Sequence, residues 1–387
     1  KGGVARGFQA TLEAGTAVLV DDAGVPRGRC ACGNPLAPPR PTGDEIPDGT
    51  AAQVPVILVA DIDRGGVIAS LVGTHAVIDA DARARIKGYI INKFRGDVSL
   101  FHTGLEEITS RTGWASLGIA PYFSDAVHLP AEDAVALDKP AISPNTPGGG
   151  AILIAVPKLS RIANFDDLDP LNAEPDVEVR TVAPGEVIPV DADLILLPGS
   201  KATIADLAFL RRQGWDVDIL SHHRRGGRIL GICGGYQMLG RTVADPDGIE
   251  GSVREAEGLG LLDIETVLSP EKSLGERAGK HVESGKALHG YEIHLGLSEG
   301  PDRARPFLEI AGAADGARSA DGRVEGCYLH GLMQSDGFRH AYLSSLRARR
   351  QSGVNHDALI DRTLDDLAVH LEANLDLDHM LEIAHAA

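Results

Sequence analysis

Residues Arg228-Ile-Leu-Gly-Ile-Cys-Gly-Gly-Tyr-Gln-Met-Leu-Gly240 decide how this chain is read. The apolar run Ile229-Leu230-Gly231-Ile232 has strand length and delivers Cys233 into a turn crowded with glycine, after which a helical pattern begins. Strand, sharp turn, reactive side chain and helix together make a nucleophile elbow. Gly231, Gly234 and Gly235 suit such a turn, because its backbone is strained and other backbone must approach closely. Cys233 is then expected at a helix N-terminus, where the dipole and free N–H groups favour thiolate over thiol. The simpler alternative is a buried cysteine beside a glycine turn.

A cysteine nucleophile needs a base that takes its proton and later protonates the leaving group. Downstream, Val324-Glu-Gly-Cys-Tyr-Leu-His-Gly-Leu332 reads as a strand ending in His330 and a glycine. Upstream, Asp193-Leu-Ile-Leu-Leu-Pro-Gly-Ser-Lys201 reads as a buried strand opening into a glycine loop. Backbone N–H groups there, at Gly199, can complete an oxyanion hole with that of Gly234. Three parts sharing one chemical logic carry more weight than any of them alone.

The order Leu197-Pro-Gly-Ser200, Gly231-Ile-Cys-Gly-Gly-Tyr-Gln237 and Tyr328-Leu-His-Gly331 resembles the class I glutamine amidotransferase domain, and more narrowly the cobyric acid synthase branch. The resemblance runs on through Ser160-Arg-Ile-Ala-Asn-Phe-Asp-Asp-Leu-Asp-Pro170, Lys201-Ala-Thr-Ile-Ala-Asp-Leu207 and Gly290-Tyr-Glu-Ile-His294. It also takes in Asp61-Ile-Asp-Arg-Gly-Gly-Val67 and Ile90-Ile-Asn-Lys-Phe-Arg-Gly-Asp97, and so spans residues 53 to 387.

That resemblance implies roles. Cys233 is the expected glutaminase nucleophile, forming a γ-glutamyl thioester and releasing ammonia, and His330 its general base and acid. Gly199, Gly234 and Gln237 are the expected oxyanion-hole and glutamine-binding positions. Class I domains carry a glutamate two residues after the histidine; Leu332 stands there, so a Cys–His dyad with no named orienting group is expected. Ammonia would pass to a second site, where ATP with Mg²⁺ activates corrin carboxylates, giving cobyric acid in cobalamin biosynthesis. The alternatives are a cobyrinic acid a,c-diamide synthase, and a glutaminase-only or non-catalytic scaffold protein.

The second site is expected in a partial dethiobiotin-synthetase-like ATP and corrinoid domain. Its candidate residues are Asp61, Asp63, Asn92, Lys93 and Arg95. Asp61 and Asp63 close a strand, where α/β sheets place ligands, although either could instead cap the helix that follows Gly66. Arg64, Lys93 and Arg95 could form a cationic patch for carboxylates, or ordinary ion pairs with nearby aspartates. No G-x-x-x-x-G-K-[ST] phosphate loop occurs in the sequence, and Lys1-Gly-Gly-Val-Ala-Arg-Gly7 is no substitute for one. The chain therefore reads as a fragment, a fusion or a divergent member.

The fold class expected is α/β: a parallel-sheet, partial P-loop synthetase-like domain, then a class I glutamine amidotransferase-like α/β domain. The divisions are an unassigned segment 1–52, the synthetase part 53–140, a Pro/Gly-rich linker 141–150, the amidotransferase part 151–345 and a helical segment 346–387. Strands are expected at 56–60, 86–92 and 114–121 in the first part, with helices at 66–77 and 100–112. In the second, strands are expected at 151–156, 177–182, 193–197, 228–232, 260–266 and 323–329. His294 is expected to be structural, His222 and His223 to mark a solvated helix end, and 357–386 to form one amphipathic terminal helix.

Composition excludes several classes. A net charge of −18 argues against nucleic acid as a partner, since phosphate contacts demand clustered Lys and Arg. Apolar runs such as Val54-Pro-Val-Ile-Leu-Val-Ala60 have strand length, far short of the ~20 residues of a membrane helix. Cys30 and Cys32 fall short of the four ligands of a structural zinc site, so no metal centre and no bound prosthetic group are expected. A cytoplasmic enzyme of small-molecule substrates, glutamine and a corrinoid polycarboxylate, follows, with no oligomer specified.

Overall fold

The computed structural model describes residues 55–130 and 151–385, and outside them only a short ladder of Leu19–Val20 against Pro26–Arg27. The expectations for Cys30, Cys32 and the 141–150 linker lie outside the described residues. The chain forms two compact units: residues up to Leu129 together with those from Asp361 onward, and Pro130–Ile360.

In the first unit, β1 (Val56–Asp61), α1 (Val67–Val77), α2 (Ala80–Arg85), β2 (Ile86–Phe94), α3 (His102–Thr112) and β3 (Ala115–Pro121) alternate along the chain. The strands form a parallel sheet in the order β1-β2-β3, as strands separated by helices require. The central strand explains its own sequence: Gly88–Ile91 are buried, and Tyr89 donates its hydroxyl to Leu105 O at 3.0 Å. Val67, Leu71, Ile86, Ile91, Ile108 and Trp114 pack around it. The apolar β1 is only partly covered, because it is an edge strand among the described residues. The end of the chain is two helices rather than one, His356–Asn374 and Leu377–His385. Leu375 between them bridges to Gly118 of β3, and Asp376 N donates to Leu117 O at 2.9 Å.

The second unit is built on β4 (Ile152–Pro157), β5 (Val177–Val182), β6 (Leu194–Leu197), α4 (Thr203–Gln213), α5 (Trp215–Arg224), β7 (Arg228–Ile232) and α6 (Gly234–Leu239). There follow the hairpin strands β8 (Glu265–His281) and β9 (Ala287–Glu299), then β10 (Ala317–Arg318), β11 (Val324–Cys327), β12 (Leu329–His330) and α7 (Asp336–Leu346). The six-stranded sheet runs β10-β11-β7-β6-β4-β5, parallel except at the β10 edge. Leu194–Leu197 are buried throughout, as a strand covered on both faces demands. Leu207, Trp215, Ile219 and Met238 cover one face. Phe338, Tyr342 and Leu343 of α7 cover the other. Each such side chain contributes roughly 1.5–3 kcal/mol relative to exposure.

Two expectations are corrected here. The strand expected at 260–266 begins at Glu265 and continues through the long hairpin to His281. His222 is not at a solvated end: it is buried, with Nε2 3.1 Å from Arg228 O, and burial holds its pKa below the ordinary value. Only its neighbour His223 meets a surface partner, Asp321, at 2.8 Å.

Candidate active site

β7 is hydrogen-bonded on both sides, to β6 and β11, so its carboxyl end opens where parallel sheets gather ligands. Cys233 follows it at φ 52°, ψ −111°, outside the regions a non-glycine residue ordinarily occupies. Such a conformation costs about 1–3 kcal/mol and persists only when its surroundings over-determine it. Here Cys233 N donates to Cys327 O at 2.8 Å, and Gln237 N donates to Cys233 O at 3.1 Å. Gly235 lets the turn close, since a Cβ there would collide with the Leu197 carbonyl. The thiol donates to Ile293 O on β9 at 3.7 Å, and its charge acts on His330.

His330 is 1% exposed. Its Nδ1 lies 2.7 Å from Asp167 Oδ2. An ionised carboxylate only accepts, so Nδ1 carries the proton and Nε2 is the atom left for Cys233. Burial alone would lower the imidazole pKa; the charges of Asp167 and Cys233 outweigh it and hold the ring well above its ordinary value. Asp167 is itself buried, and its second oxygen accepts the Gly331 N–H at 2.6 Å. One carboxylate therefore fixes both the ring and the backbone that carries it.

This corrects the expected dyad. The residue two positions after the histidine is indeed apolar, and Leu332 packs in the core; the orienting acid arrives from another segment. Asn164, at φ 53°, turns the chain into a short 3-10 helix, Phe165–Leu168. Leu168 and Leu171 enter the core there and carry Asp167 inward. The available signal was the acidic density of Asp166-Asp-Leu-Asp169 in a segment otherwise apolar enough to be buried.

Gly199 and Gly234 differ in what they offer. Gly199 pairs with Ala163, and Lys201 N donates to Arg161 O at 3.0 Å. Ladder alternation then turns the Gly199 N–H toward Ala163. Its lack of a side chain matters more: a Cβ would stand 2.9 Å from His330 Cε1. Gly234 opens α6, where first-turn N–H groups have no intrahelical acceptor. Gln237, expected to contact glutamine, spends its amide within the protein. Its Oε1 accepts from Thr203 at 2.9 Å, and its Nε2 donates to Leu295 O at 3.0 Å and toward Tyr328. These bonds tie α6 to α4 and β9. His294 stacks on Tyr328 at 3.7 Å, with Nδ1 3.2 Å from Gly296 O.

In the first unit the candidates meet in pairs at the carboxyl ends of β1 and β2. Lys93 Nζ lies 2.8 Å from Asp61 Oδ2, and Arg95 holds Asp63 at 2.8 and 3.1 Å. Asn92 Oδ1 accepts the Lys93 N–H at 2.8 Å, and Arg95 lies 3.6 Å over the Tyr122 ring. The Arg95 contact holds the Asp63 carboxyl below its ordinary pKa. Neither aspartate caps α1, whose N-cap is Gly66. The hard oxygen donors of Asp61 and Asp63 beside two cations fit Mg²⁺ and a phosphate, each partner now satisfying the other.

Comparison with known proteins identifies the family. The profile of the CobB/CobQ-like glutamine amidotransferase domain matches residues 153–338, and that of a domain of unknown function, DUF6777, matches residues 1–53. A solved glutamine amidotransferase is similar with a TM-score of 0.37 and 15% identity, over 50% of this chain and 97% of its own. The profile match makes the second unit a glutamine amidotransferase-like domain. A cobyric acid synthase of Cereibacter sphaeroides is 58% identical over 333 residues, 86% of this chain and 68% of the relative. One of Paracoccus denitrificans is 58% identical over 334 residues, 86% and 68%. The chain belongs to the cobyric acid synthase family, whose enzymes serve glutamine-dependent amidation in cobalamin biosynthesis.

Proposed function

We propose that the second unit hydrolyses glutamine with Cys233 as nucleophile, His330 as general base and acid, and Asp167 as the residue that orients His330. The observation that carries this reading is the buried Asp167–His330 pair, on which the charge of Cys233 acts from a strained elbow. The thiol proton passes to His330 Nε2, and the sulfur so freed bonds to the δ-carbonyl carbon of glutamine. The Gly234 N–H stabilises the oxyanion. His330 then protonates the departing nitrogen, which leaves as ammonia from a γ-glutamyl thioester. Water, giving its proton to His330, breaks the C–S bond to release glutamate, and the proton returns to sulfur.

The ammonia serves an ATP-dependent amidation of the carboxylate side chains of adenosylcobyrinic acid a,c-diamide, giving cobyric acid in the cytoplasm. In that reaction ATP supplies a phosphoryl group that makes a carboxylate oxygen a leaving group. Asp61 and Asp63 would hold Mg²⁺, Lys93 and Arg95 would meet phosphate or carboxylate, and Asn92 fixes the turn that presents Lys93. Support comes from family membership and the placement of these pairs at strand ends. The test is ammonia release from glutamine, with and without ATP and the diamide. Release coupled to ATP consumption is expected. Release with no ATP turnover would leave a glutaminase only; no release at all would sink the reading.

A further inference from the structure

Tyr291 faces His330 across the antiparallel pairing of β9 with β12. The rings lie nearly parallel, 21° between planes, with centroids 5.4 Å apart. The phenol is tied down at its far end: Asn164 Nδ2 donates to it at 3.1 Å, and it donates to Asp166 Oδ2 at 3.3 Å. Tyr291 is only partly buried, so filling core volume does not account for an aromatic ring here. Its two anchors come from the same short turn that delivers Asp167. The segment thus grips the imidazole twice, at its edge through Asp167 and on its face through Tyr291.

We propose that Tyr291 is a positioning residue of the glutamine hydrolysis, its ring, anchored by Asn164 and Asp166, holding the plane of His330 in line with Cys233. The inference rests on the glutaminase reading above. A ring restrained only at Nδ1 can still rock about that hydrogen bond, and an aromatic face removes that motion. The face also favours the imidazolium that forms when the thiol proton is taken. Asp166, Asp167, Cys233 and His294 are the other titratable groups that bear on His330.

The experiment is steady-state glutamine hydrolysis by the full chain, with melting temperatures measured alongside. Tyr291→Leu removes ring and hydroxyl, and should lower kcat about 10-fold or more through misorientation while leaving KM within about 2-fold. Tyr291→Phe keeps the ring, and should recover kcat to within about 3-fold of wild type. Asp166→Asn keeps ring and hydroxyl and loosens only one of the two anchors, so it should be no slower than the Phe variant. Wild-type kcat in Tyr291→Leu overturns the proposal. So does a Phe variant as slow as the Leu variant, or a loss that follows melting temperature across all three. An inactive wild-type chain would instead remove the glutaminase reading on which the proposal stands.

Discussion

Among the described residues, two of the non-glycine positions at positive φ lie at the carboxyl ends of parallel strands: Cys233 after β7, at 52°, and Lys93 near the end of β2, at 60°. They are held by opposite means. Cys233 is buried, its backbone bonded to Cys327 and Gln237 and its thiol to Ile293 O. Lys93 is held by an ion pair whose lysine side chain is 41% exposed. Strain enclosed by packing cannot relax without opening the core. A surface ion pair contributes only about 0–1 kcal/mol, so an arriving anion can exchange it. The first geometry is fixed before substrate arrives; the second is free to change partners.

The most severe way to probe the enclosed site is to remove its chemistry. Cys233→Ala is expected to lower glutamine hydrolysis by at least ~10³-fold, and His330→Ala by roughly 10²–10⁴-fold, in an ammonia-release assay. A milder change asks whether the distant acid matters. Asp167→Asn preserves shape but no longer holds Nδ1–H as an ionised acceptor, and a fall of about 10²-fold or more in kcat is expected. A near-wild-type rate would return the site to a dyad.

The exposed pair should behave differently. Lys93→Ala is expected to lower ATP-dependent amidation about 10-fold or more while glutamine hydrolysis stays within about 2-fold, since under the proposed function its charge serves only the phosphoryl or carboxylate side of the reaction. Equal losses in both assays would erase the distinction between the sites.

The smallest expected effect is on stability. Burial, then the charges of Asp166 and Asp167, raise the Asp169 carboxyl from 3.8 to about 7, and its buried Oδ2 has no hydrogen-bond partner among the described residues. The folded state therefore keeps a proton that the unfolded chain has already released. The associated stability is complete below the unfolded value of 3.8 and is lost as pH rises through about 7. Asp169→Asn removes that loss. Its melting temperature should exceed wild type by a few degrees, about 2–5 °C, at pH 8, with the gap closing toward pH 4. A gap independent of pH would exclude titration of Asp169 as its origin.

Local sequence carried much of this molecule. A short apolar run before glycine and cysteine can hardly be anything but a buried strand entering a tight turn, and β7 and α6 stand where Ile229–Ile232 and Gly234–Leu239 place them. Alternation of strand and helix likewise announced parallel sheets in both units. Those signals are readable because periodicity and turn chemistry act between neighbours. What Asp167 does was not readable: it meets a histidine 163 positions away, and only the core packing of Leu168 and Leu171 turns it inward. The same holds for Gln237, whose amide is consumed by Thr203 and Leu295, and for His222, buried where its charged neighbours suggested solvent. Sequence alone determined the parallel strands and the turn at which Cys233 stands. Tertiary structure decided which polar groups find one another, because a hydrogen bond in a core depends on distance in space and not along the chain.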